Sequence, residues 1–316
     1  MINNSPYVRA QASVTRVMLK VLLALVPAIA VYVWQFGPAI LIQLALATAT
    51  ALVCESAMLK LRGKPQALFL SDLSAVVTAW LIALAFPPIA PWWLIVTGTA
   101  MAIVVAKHLY GGLGQNPFNP AMVAYCVMIV AFPSLMTQWP SALPDAITSA
   151  TPLDALRTGL RAADSTVASI SADPAIFGSV AGRGWEWIAL AYLLGGLWLV
   201  QQKIITWQIP VGFIAGLGVI SGAFWLADSA QYASPLLHLA AGGSMLGAFF
   251  ILTDPVSAAT TPRGKLIYAA GAGLIVYLIR VFGAYPDGVA FATLLMNICV
   301  PLIDMKTQPP VFGHKQ

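Results

Sequence analysis

What most constrains this chain is the recurrence of apolar runs about as long as a lipid bilayer is thick. A membrane-crossing helix needs about 20 mostly apolar residues, and such stretches follow one another along the 316 residues. A water-soluble core has no room for so many. Hydrophobic residues make up 59% of the chain and charged ones 9%, whereas soluble domains carry about 25% charged residues. Mean hydropathy is +0.84. The runs and their breaks predict ten helical spans, at 18–36, 39–58, 70–87, 92–109, 118–135, 185–201, 207–226, 236–253, 266–283 and 286–303. The segments are long and continuously apolar, which excludes the short alternating strands of a membrane barrel. The expected fold is an all-α, polytopic membrane protein with ten transmembrane helices embedded in the lipid bilayer.

The basic residues test this count independently, because cytoplasmic loops collect Lys and Arg. With the N-terminus in the cytoplasm, the inner side receives Arg9, Arg16, Lys20, Lys60, Arg62, Lys64, Lys107, Lys203, Arg263, Lys265, Lys306 and Lys315. The outer side receives only Arg157, Arg161, Arg183 and Arg280. Twelve against four is the asymmetry of a multi-pass protein of the bacterial inner membrane with both termini cytoplasmic. The pI near 9.2 then reports topology, and no nucleic-acid partner is expected. Arg9 and Arg16 before an apolar run, with Ala28 and Ala30 beyond, imitate a signal peptide; an uncleaved first span fits the charge pattern better. Cys54, Cys126 and Cys299 fall on separate spans with no CxxC pair. They read as small packing residues rather than as disulfides, zinc ligands or a complete iron–sulfur ligand set.

The longest polar interruption, 134–184, is about 50 residues, far beyond ordinary connections. It is expected on the outer side, between a first five-helix half at 1–133 and a second at 185–316. Five is odd, so any repeat between the halves must be inverted across the membrane, as in many transport folds. Two pairs of features fit this. The fifth spans open on Asn116-Pro117-Phe118-Asn119-Pro120 and on Tyr285-Pro286-Asp287-Gly288, and the third spans end in Phe86-Pro87-Pro88 and Thr253-Asp254-Pro255. Chance placement of proline at helix ends is the competing explanation.

Three segments have the composition of binding sites. His108–Ala121, on the inner side, combines glycines with Asn116 and Asn119, whose amides on a helical turn share a face suited to the edge of a planar heterocycle. The same residues also read as a capped turn, with Asn119 as N-cap and Pro120 at the first helical position. Leu252–Lys265 sets Asp254 among hydroxyls, which suits either a cation or an Asp-Pro turn. Asp145–Leu153, in the outer loop, is a run of small hydroxylic residues that reads by itself as linker. No Ser/His/Asp set surrounds it, so self-contained nucleophilic catalysis is not expected.

These segments, in this order, together with the tail Tyr285–Asp304, resemble the NqrB/RnfD family over essentially the whole chain. Its members are membrane subunits of the Rnf electron-transport complex and of the sodium-pumping NADH:quinone reductase. The resemblance implies FMN attached by a flavin transferase to a threonine through a phosphoester, at a pattern similar to Asp-x-x-Ser/Thr-Gly-Ala-Thr. Asp145, Thr148, Ala150 and the acceptor Thr151 match it, and Ser149 stands where glycine is usual. It also implies a second, non-covalent flavin, riboflavin, at Asn116 and Asn119. The implied activity is translocation of Na⁺ or H⁺ coupled to ferredoxin and NAD oxidation–reduction, in partnership with subunits A, B, C, E and G. Such a chain is a translocase subunit, not catalytic alone. Two rival readings are a stand-alone secondary transporter with inverted repeats and the quinone-reducing relative; the flavinylation-like loop opposes the first and the short segment before span one the second.

Overall fold

Several helix starts follow one local rule. Asn119-Pro120, Thr151-Pro152, Ser234-Pro235 and Thr261-Pro262 each place a capping side chain before a proline at the first helical position. The cap accepts an otherwise orphaned N–H, and proline gives up only a donor that has no partner there. The computed structural model describes residues 13–141, 148–161 and 165–308.

The described residues form an all-α, multi-pass membrane protein. The first half holds α1 (Val14–Phe36), α2 (Ala39–Leu61), α3 (Gln66–Leu70), α4 (Ser74–Ala85), α5 (Trp92–Ala100), α6 (Pro120–Ala131) and α7 (Pro133–Met136). The connecting region holds a two-residue hairpin of β1 (Trp139–Pro140) and β2 (Thr148–Ser149), then α8 (Pro152–Gly159) and α9 (Val167–Ser171). The second half holds α10 (Trp185–Gln201), α11 (Gln208–Ala227), α12 (Pro235–Ala240), α13 (Ser244–Leu246), α14 (Pro262–Phe282) and α15 (Val289–Thr307). Two helices widen into π-helix, α5 over Met101–His108 and α13 over Gly247–Ile251. The amides of Leu109 and Leu252 accordingly reach back five residues, to Val104 and Gly247.

Five helices, α1, α2, α11, α14 and α15, are long and apolar enough to cross a membrane, and Ser74–Ala85, Trp92–His108 and Pro120–Ala131 are shorter apolar helices. The expected span 70–87 is thus continuously helical only over Ser74–Ala85, and 118–135 over Pro120–Ala131 before the separate short helix α7. Phe86 and Phe132 each precede a proline, which disfavours the helical region, and each helix stops there. The expected span 236–253 is interrupted at 241–243. Twelve helical residues reach about 18 Å, short of a hydrocarbon core about 30 Å thick. Non-helical backbone at such depth is tolerated where protein buries it or where it lines a cavity.

The two broken segments are built alike. In each, a short helix (α3 or α12) gives way to three non-helical residues and then to a helix that begins with serine, Ser74 or Ser244. Each break contains one left-handed residue, Leu73 at φ 63° and Gly242 at φ 61°. Leu73 pays a Cβ clash that glycine avoids, and the Asp72 carboxylate holds the turn by accepting the Ser74 N–H at 2.7 Å.

The halves meet along α1 on α10 and α6 on α15. Small residues set the closest approaches. A Cβ on Gly195 of α10 would lie 2.2 Å from the Ala24 carbonyl oxygen of α1. Within the second half, a Cβ on Gly216 of α11 would lie 2.3 Å from the Ala270 carbonyl oxygen of α14. Lipid tails are as apolar as leucine, so this backbone-to-backbone packing is what holds such helices together.

Candidate functional site

The two seams between the halves enclose two cavities, stacked along the bundle. The first, on the side expected to face outward and so termed outer, is about 90 Å³ and is lined by Tyr32 of α1, Tyr125 of α6, Trp139 of β1, Trp185 and Tyr192 of α10, and Asp287 ahead of α15. Thr151 stands on its wall. The inner one, about 190 Å³, is lined by Asn116, Asn119, Ser74, Lys107, Asp254 and residues from α1 and the π-helical turn of α13. Tyr32 belongs to the first cavity and Val21 to the second, which separates them by about 16 Å along α1. The layer between them comes from α6 and α13, with Met122 and Ile251 facing the outer cavity and Ala121 and Phe250 the inner one.

Thr151 is positioned twice. The β1–β2 pairing sets Trp139 opposite Ser149 and Pro140 opposite Thr148, and Trp139 packs edge-on against Trp185 with ring centres 5.1 Å apart. The motif's strand is thereby tied to the start of α10. Thr151 then caps α8, its Oγ1 accepting the Asp154 N–H at 3.3 Å. The hydroxyl is half-buried, between solvent and the aromatic cavity. Thr148 is exposed. Asp145 lies outside the described residues. Helix N-termini favour anions, because their free amides and dipole point at them, so a phosphoester on this hydroxyl has electrostatic support. The walls also suit a flat heteroaromatic ring. Tyr32 is buried, packs edge-on against Trp185 with ring centres 5.9 Å apart, and has no hydrogen-bond partner for its hydroxyl. A buried orphan hydroxyl costs free energy until something bonds to it, and the polar edge of a bound ring supplies that.

Asn116 and Asn119 both line the inner cavity but do not share a helical face, because Asn116 precedes the helix and Asn119 caps it. Asn119 Oδ1 accepts from the amides of Ala121 (3.0 Å) and Met122 (3.2 Å), and its Nδ2 donates to the Ile251 carbonyl at 3.2 Å. Its own N–H donates to Asn297 Oδ1 at 3.1 Å, which joins α6 to α15. Asn116 Nδ2 donates to the Phe118 carbonyl at 2.9 Å. Asn119 is therefore mainly occupied with the seam, and Asn116 is the better placed of the two to meet a ligand.

Each cavity also receives a buried charge cluster that sequence patterning does not reveal. Lys107 donates to both Glu55 oxygens at 2.9 Å and to Ser74 Oγ at 3.0 Å, while His108 Nε2 lies 3.0 Å from Glu55 Oε2. Lys107 and Glu55 are both 2% exposed, although Lys107 is expected in an inner-side turn. In the second half Arg280 donates to Asp287 Oδ1 (3.0 Å), Ser244 Oγ (2.9 Å) and the His238 carbonyl (2.6 Å). Asp287 Oδ2 accepts the Gly243 N–H at 2.6 Å. In both, a cation paired with a carboxylate donates to the serine that opens the broken helix. The separations in sequence, from Glu55 to Lys107 and from Ser244 to Arg280, leave no pattern to read in advance. Among the described residues no group of three or more His, Cys, Asp or Glu is arranged to hold a metal.

Relatives agree over the full length. The chain is 49% identical to the D subunit of the ion-translocating oxidoreductase complex of Salmonella typhi, with 100% of this chain and 99% of that protein covered. It is 47% identical to the protein of the same name from Escherichia fergusonii, at the same coverage. The profile of the NQR2, RnfD, RnfE family matches residues 1–313, and with full-length relatives at this identity the chain belongs to that family.

Proposed function

We propose that this chain is the D-type membrane subunit of an ion-translocating oxidoreductase complex, and that it carries FMN esterified to Thr151. The carrying observation is the half-buried hydroxyl of Thr151, which caps α8 on the wall of an aromatic cavity between the halves. Asp145 and Thr148 belong to the motif that a flavin transferase reads. A second flavin, riboflavin, sits in the inner cavity against Asn116 and Asn119. When bound, the flavins supply reversible electron transfer. The protein's own part is to stack aromatic walls on one ring, offer the Tyr32 hydroxyl to its edge and keep the two cavities apart across the bundle. The partners are subunits A, B, C, E and G, and the coupled ion is Na⁺ or H⁺.

The same reading takes the fold as ten spans in two inverted five-helix halves, in the bacterial inner membrane, with both termini cytoplasmic and 134–184 periplasmic. In support, the third and eighth segments break alike, each around a left-handed residue and a serine that accepts from a buried cation. First and sixth segments pack together, as do fifth and tenth, as a pseudo-two-fold axis in the membrane plane requires.

The test is in-gel fluorescence of the subunit made alongside a flavin transferase. Wild type is expected to show a flavin-fluorescent band under denaturing conditions, and Thr151→Ala to lose it. Thr148→Ala reduces it at most, and the Thr151 peptide gains the mass of FMN less one water. A band that survives Thr151→Ala, or is missing from wild type, removes the covalent flavin from Thr151.

A further inference from the structure

A third cavity, about 290 Å³, lies beside α8, between α8, the 228–238 segment and the end of α14. Three guanidiniums line it, from Arg157, Arg161 and Arg280, with Asp228 as the one lining carboxylate among the described residues. His238 lines it too, is 4% exposed, and finds no hydrogen-bond partner for either ring nitrogen. Its ring is held edge-on against Tyr277, with centres 5.1 Å apart. Arg157 Nε is likewise buried without a partner. Orphaned donors of this kind are uncommon in native proteins and call for a ligand or ordered solvent.

The local charges decide which ligand. Arg280 is already neutralised by Asp287 at 3.0 Å, and Arg157 is 3.7 Å from Asp154 Oδ1, in contact through Nη1 only. Asp228 uses Oδ1 to accept the amides of Ala230 and Gln231, which keeps it in its own turn. Donors aimed into the cavity therefore outnumber acceptors, which suits an oxyanion. Arginine forks match phosphate oxygens two at a time. The remaining walls are partly apolar, from Leu153, Leu156 and the exposed Phe282, and partly polar, from Gln231 and Tyr232.

We infer that this cavity is a phosphate-group site, in which Arg157, Arg161 and His238 bind the phosphate of a lipid headgroup or a free phosphate ion. Clustered arginines bind phosphate groups through such charge-assisted, two-pronged hydrogen bonds. The inference is independent of the flavin at Thr151, since Thr151 does not line this cavity and only Leu153 lines both.

The experiment is native mass spectrometry of the delipidated full chain in detergent, titrated with dioleoylphosphatidylglycerol, dioleoylglycerol or inorganic phosphate. Wild type is expected to take up one phosphatidylglycerol and to discriminate against dioleoylglycerol, which has the same tails and no phosphate. Arg157→Ala/Arg161→Ala and, separately, His238→Phe are expected to weaken that binding tenfold or more, about 1.4 kcal/mol. Phenylalanine keeps the contact with Tyr277, Arg161 is exposed, and Arg157 is partly buried with one long contact to Asp154, so an unchanged unfolding midpoint for each variant is the accompanying check that the fold is kept. Arg183→Ala, whose side chain donates to the Pro174 carbonyl outside the cavity, is expected to bind like wild type. Displacement of the lipid by millimolar phosphate identifies a site open to free phosphate, and its absence identifies a headgroup site. Equal binding of dioleoylglycerol, wild-type affinity in both variants, or no uptake of either phosphate probe would overturn the inference.

Discussion

Arg280→Met removes the most heavily bonded side chain of the second half. Its guanidinium makes five hydrogen bonds, two to Asp287 Oδ1 and one each to Ser244 Oγ and the carbonyls of His238 and Ala241. The side chain is 1% exposed and that of Asp287 20%. Breaking a buried ion pair from one side costs about 3–5 kcal/mol, mostly as the penalty on the stranded partner. Asp287 keeps the amides of Gly243 and Val289 as donors and some contact with solvent, so the lower end, about 3 kcal/mol, is expected. The double variant Arg280→Met/Asp287→Asn removes the stranded charge and keeps an acceptor for Gly243. It is expected to recover about 1–2 kcal/mol relative to the sum of the single losses, as contacting pairs do in such cycles. Denaturant-driven unfolding in mixed micelles, followed by tryptophan emission, measures both, with Arg183→Met as a surface control expected within about 0.5 kcal/mol of wild type. A loss under about 1 kcal/mol for Arg280→Met, or strict additivity in the double variant, would refute the clamp as an energetic element.

Gly216→Ala puts a Cβ 2.3 Å from the Ala270 carbonyl oxygen, so α11 and α14 must separate; a loss of about 1–3 kcal/mol is expected in the same assay, and an unchanged midpoint contradicts it. Asn116→Leu is expected to lower acid-extractable flavin in the purified subunit and leave covalent FMN intact, and equal flavin in variant and wild type counts against the inner site. Asn119→Ala also removes the cap on Ala121 and Met122, costing about 0.5–2 kcal/mol of stability, whereas Asn119→Asp keeps the acceptor and is expected to retain most of it. Reporter fusions after Lys64, Lys203 and Lys265 are expected to report cytoplasm and fusions within 137–183 the outer side, and an inward signal from that loop contradicts the assigned orientation.

Much of the architecture is local chemistry and is therefore legible in the residues themselves. Apolar runs locate α1, α2, α11, α14 and α15, because burial in lipid depends only on length and composition. The Asn-Pro, Thr-Pro and Ser-Pro pairs announce helix starts, because cap and proline act within one turn. The Phe86-Pro87-Pro88 turn foretells where α4 stops, whereas α6 stops at Ala131, short of the expected 135. Thr151 and Asn116 are legible as candidates by resemblance, which compares residues in sequence order. The cavities they line are another matter. Only packing of α1 on α10 and α6 on α15 creates the two chambers, and only the β1–β2 hairpin brings the loop threonine to the outer one. The break at 71–73 carries no decisive residue, since Leu73 takes a left-handed conformation that its side chain disfavours, whereas the break at 241–243 places Gly242 there. Lys107 and Arg280 read as surface charges at helix ends until the fold supplies Glu55 and Asp287. An apolar run has the same transfer energy wherever its neighbours are, but a buried charge is stable only when a partner from outside its own helix arrives beside it, and the partner is chosen by tertiary packing.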